Sequence, residues 1–514
     1  MLCCAVAHSA AATAPQTQPK AVRITLAEAL RLTLEQNQQI RSERGRVAIY
    51  QGAAIQAQGA FDLQLSASAN GRHTETPIYV HAGKTPVLFT EERDEVASAL
   101  EVRQLLPSGI TLSPAIQLDR TSDNTGQTVR QTAYTGGLSV DVPLLRGSGS
   151  RAVTAPARSA WNMEQSARSS LSATIAQQCL TTIIYYWECL AAERMLAIMQ
   201  ESEQRAYRYL DLTRSLIEGY VQPASMLQQA QATVNQAVAD RIMYENSYST
   251  SVESLTSALG WLVSADHAVP LPAEDFPDLK GFAPPAPGSY QQLVDIAFKN
   301  RPDLEAARQN EEASIILLDA YKNNLRPQLD LTLVGGVAGT DDSSYFGALV
   351  SNLKGPSFTG NLSFQWPVQN RSAIGQLTTQ QGAVEQAKAS NEQARISAAS
   401  AVLADSAVLD RALTELSRRV EAVGLYRQSE QNLEEQFKLG MATMVDLTLI
   451  QDKLASAQLN EINARLAVMI DIAQIHYDMG TLVLSTPDGP KIREIYSPSA
   501  GVIWPVAPGG ETQP

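Results

Sequence analysis

Long apolar runs, aromatic side chains and basic clusters are all scarce in this chain of 514 residues. No run of about 18 apolar residues occurs, and the best candidate, residues 180–199, is interrupted by three charged residues, which argues against a transmembrane helix. Aromatic residues form 6% of the chain, a low share that suits helices packed through small side chains. The formal net charge is −13 and no Lys/Arg cluster alternates with aromatics, so we expect no nucleic acid as a partner.

The residue patterns of enzymes and metal sites are also missing from the sequence. The five histidines are scattered without ligand spacing. There is no glycine loop followed by Lys, no nucleophile elbow and no pair of catalytic carboxylates. We therefore predict that the protein is not an enzyme and has no cofactor and no metal site. Cys179 and Cys189 lie ten residues apart on one predicted helix, about 15 Å along its axis, so we expect buried packing residues rather than a disulfide.

The N-terminus resembles the end of a secretory signal without its basic start. Residues 1–10 are apolar and small, with Ala5 and Ala7 in an Ala-x-Ala pattern. We predict a signal remnant or a disordered tail here, with the start of the chain truncated. Lipidation of Cys4 is an alternative, weakened by Cys3 at a position where a small residue is preferred.

Four sequence anchors recur in the same order in both halves, which indicates an internal duplication. Thr25 and Ser289 each open a predicted helix with a capping pattern. The other anchors are Leu63-Gln64-Leu65 with Pro327-Gln328-Leu329, 138–143 with 362–367, and Gly219 with Gly440. We predict a tail at 1–20, a first repeat at 21–260 with helix, strands and long helical hairpin, a Pro-rich linker at 261–288, a second repeat at 289–484, and a Pro/Gly-rich tail at 485–514.

Each repeat contains a helix of unusual length. Residues 151–218 and 372–439 hold almost no helix breakers, and about 65 residues span about 100 Å. Apolar residues recur at three- and four-residue steps with Ala, Ser, Thr and Gln between them, as in coiled-coil-like packing. Each long helix ends near a glycine that can reverse the chain, and a second helix returns to Gly260 or Gly480. In the first half of the second repeat, Pro302 predicts a break after a short helix.

About four segments of roughly ten residues alternate between apolar and polar side chains, which predicts strands with two unlike faces. The alternating segments begin near Leu63, Leu138, Leu329 and Leu362, and residues 100–118 are a candidate for an extra hairpin. In a soluble sandwich the apolar faces point into a core, whereas in a membrane barrel they face lipid. The strands alone leave both interpretations open. Four strands cannot close a barrel and open edges are not tolerated in lipid, so a membrane barrel would need several chains.

The ordered set of motifs resembles the TolC-like outer-membrane efflux proteins, over about residues 22–484. The matching segments are 26–30 with Asn37, 297–304, 326–329, the strand ends before Pro143 and Pro367, and the tips 218–221 and 439–443. The resemblance implies an α+β membrane protein with duplicated strand and long-helix-hairpin units. Three copies would share a transmembrane β-barrel, four strands from each, above a periplasmic α-helical barrel.

The same resemblance implies a location and partners. The protein would lie in the outer membrane of a Gram-negative bacterium and extend into the periplasm, in contact with outer membrane lipid. It would act as a homotrimer, with a periplasmic adaptor (membrane fusion) protein and an inner-membrane exporter docked at the tips. It would be the passive export duct of a tripartite efflux or type I secretion system. The alternatives are a non-conducting structural envelope protein and a soluble coiled-coil scaffold.

The resemblance also supplies candidate site residues. Asp446 lies where the family often has a pore-facing aspartate, so three copies would form a ring of carboxylates; the alternative is an aspartate that simply starts a helix. Leu449, Phe437 and Ser225 stand where an acid, a tyrosine and an aspartate can occur in the family, which makes an apolar constriction the rival gate. Candidate adaptor contacts at the tips are Gly219, Tyr220, Val221, Gly440, Met441 and Ala442.

Overall fold

The computed structural model contains long helices, one large antiparallel sheet and two small sheets. The structure describes residues 21–82, 85–124, 131–219, 225–261, 269–278, 290–341, 355–439, 441–486, 489–493 and 495–496. No helix within these ranges is both long enough and apolar enough to cross a membrane.

The helices confirm the duplicated order predicted from the sequence. The first repeat contains α1 (Leu26–Gln36), α2 (Gln38–Gln58), the four-residue α3 (Ser150–Val153), α4 (Ala155–Glu218) and α5 (Ser225–Ala258). The second repeat contains α6 (Tyr290–Asn300), α7 (Pro302–Asn324), α8 (Arg371–Lys438) and α9 (Met444–Asp478). The long helices α4 and α8 have 64 and 68 residues, which corresponds to about 100 Å each.

The strands differ from the prediction in number. The short strands are β1 (Ala21–Ile24), β6 (Val269–Pro272), β9 (Val483–Thr486) and β10 (Gly489–Ile492). The large sheet contains β2 (Gln64–Ala82), β3 (Thr85–Leu105), β4 (Thr111–Asp123), β5 (Gln131–Pro143), β7 (Gln328–Asp341) and β8 (Pro356–Gln365). Within the described residues this sheet therefore has six strands, and the expected four per chain is wrong.

Among the described residues, the extra strands come from the first repeat, which contributes four strands to the sheet against two from the second. The candidate hairpin at 100–118 is confirmed as the end of β3, a turn through Gly109 and the start of β4. The order in the sheet is β2-β3-β4-β5-β7-β8, and all neighbours are antiparallel.

The chain forms two compact units by its internal contacts. The helical unit comprises 1–45, 169–304 and 393–514, and the sheet unit comprises 46–168 and 305–392. The core of the helical unit is built from apolar residues of α4, α5, α6, α8 and α9. Its largest fully buried side chains include Tyr186, Trp187, Leu255, Leu293, Leu409 and Ile472. Cys179 and Cys189 are free thiols in this core, which confirms their packing role, and burial raises the pKa of each thiol to about 12.

Two segments that the sequence analysis assigned to linker and tail contain ordered strands. Within the predicted linker, β6 pairs in parallel with β1. Within the predicted tail, β10 pairs with β9, Ile495 is buried and the Tyr496 hydroxyl donates to the Met469 carbonyl at 2.9 Å. The irregular tail is therefore wrong for these residues, because Ile495 and Tyr496 join the core of the helical unit. The repeat boundaries themselves stay a prediction.

The helix that Thr25 opens is divided at Asn37, where α1 ends and α2 begins, and the sequence patterns gave no sign of this break. The Thr25 hydroxyl accepts from the Glu28 amide, as the capping pattern predicts; Ser289 lies outside the described residues. At the break, the Asn37 side-chain oxygen accepts from the amides of Gln39 and Ile40 at 2.9 and 3.2 Å. These bonds satisfy the first amides of α2 and let a new helix begin.

A glycine packs against this break. Asn37 donates through its side-chain amide to the Ala258 carbonyl at 3.0 Å and to the Gln178 side chain at 3.1 Å. Gly260 has φ +79°, and a Cβ there would lie 2.6 Å from the Gln36 carbonyl oxygen. Only glycine allows both this backbone conformation and this approach.

The second repeat has the equivalent break between α6 and α7, where Pro302 predicts it. Gly480 has φ +67°, and a Cβ there would lie 2.7 Å from the Asn300 carbonyl carbon. Arg301 donates to the carbonyl and the carboxylate of Asp478 at 3.4 and 3.2 Å. It also forms a bidentate pair with Asp303, at 3.1 and 2.9 Å. The two breaks therefore repeat one backbone arrangement.

Candidate functional site

The large sheet has one continuous apolar face. The strand pairings keep a constant register across all six strands, so residues two apart on each strand share a face. The apolar face contains Leu65, Ala67, Ala69, Val96, Leu100, Val102, Ile116, Leu118, Leu138, Val140, Val142, Leu329, Leu331, Leu333, Val337, Phe358, Leu362 and Phe364. Leu362 and Phe364 are 63% and 64% exposed. Such a broad exposed apolar surface needs a partner other than water.

The opposite face of the sheet is polar. It carries Gln64, Ser66, Ser68, Asn70, Glu101, Arg103, Ser113, Gln117, Asp119, Ser139, Asp141, Asp330, Thr332, Thr359, Asn361, Ser363 and Gln365. Neighbouring strands hydrogen-bond across this face, as between the Thr332 hydroxyl and the Asp141 carboxylate at 2.6 Å. The register confirms that Gln64, Ser139 and Gln365 share one face and that Leu138, Leu362 and Phe364 share the other. Contact of the polar face with water and of the apolar face with detergent stays a prediction.

The hairpin of β2 and β3 extends past the apolar zone. Its middle part carries charged side chains, including His73 and Asp94, whose ring nitrogen and carboxylate lie 2.7 Å apart, and its tip carries exposed apolar and aromatic side chains at Tyr79 and Leu88. Residues 85–91 of β3 pair with β2 alone. The alternation of apolar and polar residues that marks 65–71 therefore lies in the part of the hairpin that continues the sheet.

The candidate tips lie where the long helices end. α4 ends at Glu218, and the Gly219 amide donates to the Ser215 carbonyl at 3.0 Å. α8 ends at Lys438, and the Met441 amide donates to the Gln436 carbonyl at 2.9 Å. Met441 is 69% exposed and Ala442 is partly exposed, so both can contact a partner. Tyr220, Val221 and Gly440 lie outside the described residues.

Asp446 lies in the first turn of α9 and is exposed. Its carboxylate accepts from the Thr443 hydroxyl at 2.5 Å and from the Thr443 amide at 3.1 Å. The Thr443 hydroxyl in turn accepts from the Asp446 amide at 3.2 Å, which completes a capping box. These bonds from Thr443 hold the pKa of Asp446 below its usual value. Asp446 therefore caps the start of α9, and a ring of three such carboxylates stays a prediction.

The other gate candidates lie on three different elements. Leu449 is 54% exposed and lies one turn after Asp446 on α9, so the two side chains share a face of the helix. Ser225 is the first residue of α5 and is exposed, whereas Phe437 lies in the last turn of α8 and is partly exposed. The structure therefore joins Asp446 and Leu449 into one exposed surface and leaves Ser225 and Phe437 on other elements.

A groove of about 720 Å³ lies beside the start of α9 in the helical unit. It is lined by α4, α5 and α9, with Arg205, Tyr209, Tyr244, Met444 and Asp452 among its residues. Burial raises the pKa of Asp452, and the charge of Arg205 opposes that shift. The groove thus combines apolar, aromatic and acidic groups next to the candidate gate.

Thr443 is the residue that the sequence analysis missed at this site. It carries the hydroxyl and the amide that hold the Asp446 carboxylate. The signal was present, because a Thr followed three residues later by an acid at the start of an apolar helix is a capping pattern. Among the described residues, no cluster of three His, Cys, Asp or Glu side chains could hold a metal ion.

Comparison with known proteins decides the family. The model of the outer membrane efflux protein family matches residues 98–261 and 293–480, which is more than half of the chain. The chain belongs to the outer membrane efflux protein family. Each of the two matched segments contains one long helical hairpin, α4 with α5 in the first and α8 with α9 in the second.

Relatives in this family include two TolC outer membrane proteins. The TolC of Escherichia coli is 23% identical over 316 residues, which covers 59% of this chain and 61% of TolC. The TolC of Vibrio cholerae is 25% identical over 334 residues, 63% of this chain and 74% of that protein. The aligned part thus spans about three fifths of the length of the Escherichia coli relative. Like them, this family member is an outer membrane protein of a Gram-negative bacterium and extends into the periplasm.

Solved structures of outer membrane channels share the fold. The CmeC channel of Campylobacter jejuni has a TM-score of 0.64 at 11% identity, over 89% of this chain and 85% of CmeC. The open state of the MtrE channel of Neisseria gonorrhoeae has a TM-score of 0.60 at 15% identity, over 92% and 93% of the two chains. At these identities the likeness concerns the fold, which extends over nearly the whole of each protein.

Proposed function

We propose that the protein is a passive export duct: the outer-membrane channel of a tripartite efflux or type I secretion system. The two-faced sheet carries this proposal. Its exposed apolar face suits lipid and its polar face suits a water-filled lumen, the arrangement of transmembrane barrels. Because the described sheet is open at both edges and open edges do not occur in lipid, one chain needs further copies.

The working form is a homotrimer, as the family membership suggests. Three copies surround one lumen, and cargo passes through it without chemical change. A periplasmic adaptor protein contacts the tips at Gly219, Tyr220, Val221, Gly440, Met441 and Ala442, and an inner-membrane exporter supplies the cargo. The exposure of Met441 and the groove beside α9 support a docking surface at this end of the hairpins.

The gate consists of Asp446 and Leu449, with Phe437 and Ser225 on the neighbouring elements. Threefold repetition places three Asp446 carboxylates around the pore, which attract cations and repel one another. The Thr443 bonds favour the charged form of the Asp446 carboxylate, which opposes the effect of that repulsion. Leu449 on the same face adds an apolar constriction.

Single-channel conductance in planar bilayers tests both the duct and the gate. The purified protein should give discrete openings with a preference for cations. Asp446→Asn should weaken that preference, because it removes the charge and keeps the size of the side chain. Thr443→Val is the matched control, since it removes the capping hydroxyl and keeps the charge, and it should retain the cation preference.

The outcomes separate the parts of the proposal. Openings with an unchanged preference in Asp446→Asn would keep the duct and reject the carboxylate ring in favour of Leu449 and Phe437. A folded protein that inserts into the bilayer without conducting would contradict the duct and favour a structural envelope protein. A protein that stays soluble without detergent would contradict the membrane sheet itself.

A further inference from the structure

Each copy contributes six strands to one sheet, and the two outermost strands have no described partner on their outer side. β2 is one edge and β8 is the other. All residues of β8 are exposed, and so are residues 64–77 of β2. Each edge therefore presents a row of unpaired amide and carbonyl groups, which in lipid must be satisfied by another strand.

The directions of the two edges allow such pairing. Every strand in the sheet is antiparallel to its neighbours, so the first and the sixth strand run in opposite directions. When copies follow one another around a ring, β2 of one copy and β8 of the next are antiparallel as well. An even number of strands per copy thus closes the ring without a parallel pair.

The side chains of the two edges are complementary in size. On the apolar face, β2 presents small residues at Ala67, Ala69 and Gly71, whereas β8 presents Phe358 and Phe364, 76% and 64% exposed. A large aromatic side chain beside a small residue on the next strand covers the gap above the backbone, a recognised way to stabilise a sheet edge. On the polar face both edges are hydroxyl- and amide-rich, with Ser66, Ser68 and Asn70 facing the same side as Asn361 and Ser363.

We propose that β2 of each copy pairs with β8 of the next copy, so that three copies of six strands close an eighteen-stranded barrel. The trimer in this statement rests on the proposed function above. The hairpin of β2 and β3 is then part of the barrel wall. Barrel diameter grows roughly linearly with strand number, so the lumen is about 1.5 times as wide as in a twelve-stranded barrel.

The rival arrangement is a twelve-stranded barrel in which β4 meets β8 of the next copy and the hairpin of β2 and β3 lies outside the wall. Two observations oppose it. β3 is bonded to β4 through eleven residue pairs, all of which would be lost. The apolar face of the sheet also continues onto the hairpin through Leu65, Ala67, Ala69, Leu100 and Val102, which a hairpin in water would not require.

Disulfide trapping between copies distinguishes the two arrangements. Ser66, Ser68 and Asn70 on β2 are each changed to Cys together with Asn361→Cys on β8, and the control pair is Gln117→Cys on β4 with Asn361→Cys. The background replaces Cys3 and Cys4 with Ser; Cys179 and Cys189 can stay, because they are buried and their raised pKa suppresses reaction. Oxidation of the native protein in detergent should link copies into covalent dimers and trimers through a β2–β8 pair and through no β4–β8 pair.

A second measurement is decisive if none of the cysteine pairs forms a disulfide between copies. Ala67→Cys and Ser68→Cys are labelled singly with a charged, membrane-impermeant maleimide. In the eighteen-stranded barrel, Ser68→Cys faces the lumen and reacts with the maleimide. Ala67→Cys faces the detergent, which keeps the charged maleimide away, so it is not labelled. Equal labelling at both positions, or links between β4 and β8, would overturn the proposal.

The same preparation is tested for conductance in planar bilayers, so failure of the inference and failure of the function are distinguishable. A conducting channel with β4–β8 links keeps the export duct and rejects the eighteen strands. A protein that neither inserts nor conducts contradicts the export duct. Equal labelling of Ala67→Cys and Ser68→Cys in that protein also contradicts the place of the hairpin in the barrel wall.

Discussion

The two helix breaks repeat one backbone arrangement with different side-chain chemistry. At the first break, a neutral amide at Asn37 donates to the carbonyl of Ala258, two residues before Gly260. At the second, a cation at Arg301 donates to the carbonyl of Asp478, two residues before Gly480. The duplication thus preserved the glycine and the bond to the helix end. The charge of the donor differs between the two breaks, and the cation at Arg301 is paired with carboxylates.

The charge should make the second break the more costly to disrupt. Arg301→Met leaves Asp478, whose side chain is only 4% exposed, without its cationic partner. Removing one member of a buried pair costs about 3 to 5 kcal/mol. Guanidinium unfolding of the detergent-solubilised protein, followed by the helical circular dichroism signal, measures the loss. Arg308→Met is the control, because Arg308 is 57% exposed in its pairs with Glu305 and Glu312. Equal losses in the two variants would contradict the buried pair.

The glycines should be equally important at both breaks, since the backbone arrangement is shared. Gly260→Ala and Gly480→Ala each place a Cβ within 2.7 Å of backbone atoms at a positive φ. Backbone strain alone costs about 1 to 3 kcal/mol, and the close contact adds to it. Gly424→Ala within α8 is the control, because nothing lies within 4 Å of its Cβ and Ala favours the helix. The comparison fails if one glycine variant unfolds like the parent and the other does not.

Asn37→Leu should lower the free energy of unfolding by less than Arg301→Met does. Asn37→Leu removes the donors to Ala258 and Gln178 and the acceptor for the Gln39 and Ile40 amides. Buried groups left without a partner cost about 1 to 3 kcal/mol. The same unfolding measurement applies, with the exposed neighbour Gln38→Leu as control. A loss as large as that of Arg301→Met would mean that charge is not what separates the two breaks.

The smallest expected difference between the two breaks is in how stability depends on pH. Only the second break should show such a dependence. Burial, with a hydrogen bond to Asp478, raises the pKa of Asp405 to about 7. A carboxyl whose pKa is higher in the folded state than in the unfolded state binds its proton more tightly when folded. Its contribution to stability is therefore full below about pH 4 and is lost as pH rises to about 7.

Asp405→Asn should flatten that decline. The melting temperature of variant and parent is measured between pH 4 and 8, and their difference is plotted. Taking the difference removes the opposite effect of His476, whose pKa is lowered by burial to about 4, and the effect of Asp471, whose pKa burial raises to about 6. A difference that does not change over this range would exclude Asp405 as the titrating group.

The sequence predicted one break and missed the other for a physical reason. Pro302 predicts the second break, because proline has no amide hydrogen to donate within a helix. Asn37 is compatible with a helix interior, and only its contacts with Ala258 and Gln178, distant in sequence, reveal that its side chain caps a new helix. Local rules detect the first kind of break and cannot detect the second.

The strands show the same limit. Period-two alternation predicted which residues share a face, and the register confirms it: Ser139 lies on the polar face with Gln64, and Leu138 lies on the apolar face with Leu362. The number of strands was wrong because His73, Asp94 and neighbouring charges interrupt the alternation in the outer half of the hairpin. At the candidate gate, a helix start was only the alternative to a pore-facing role for Asp446, and its partner Thr443 was missed, although the spacing of the two residues was visible in the sequence.

The pairing of Gln64 with Arg103 has a consequence for how such proteins diverge. The first residue of β2 lies beside the end of β3, so the hairpin begins and ends at the same level of the sheet. A hairpin of this kind can be gained or lost in evolution without moving the preceding helix or the following strand. In the proposed barrel, strands then change two at a time, which preserves the alternating directions of the sheet and changes the width of the pore in discrete steps.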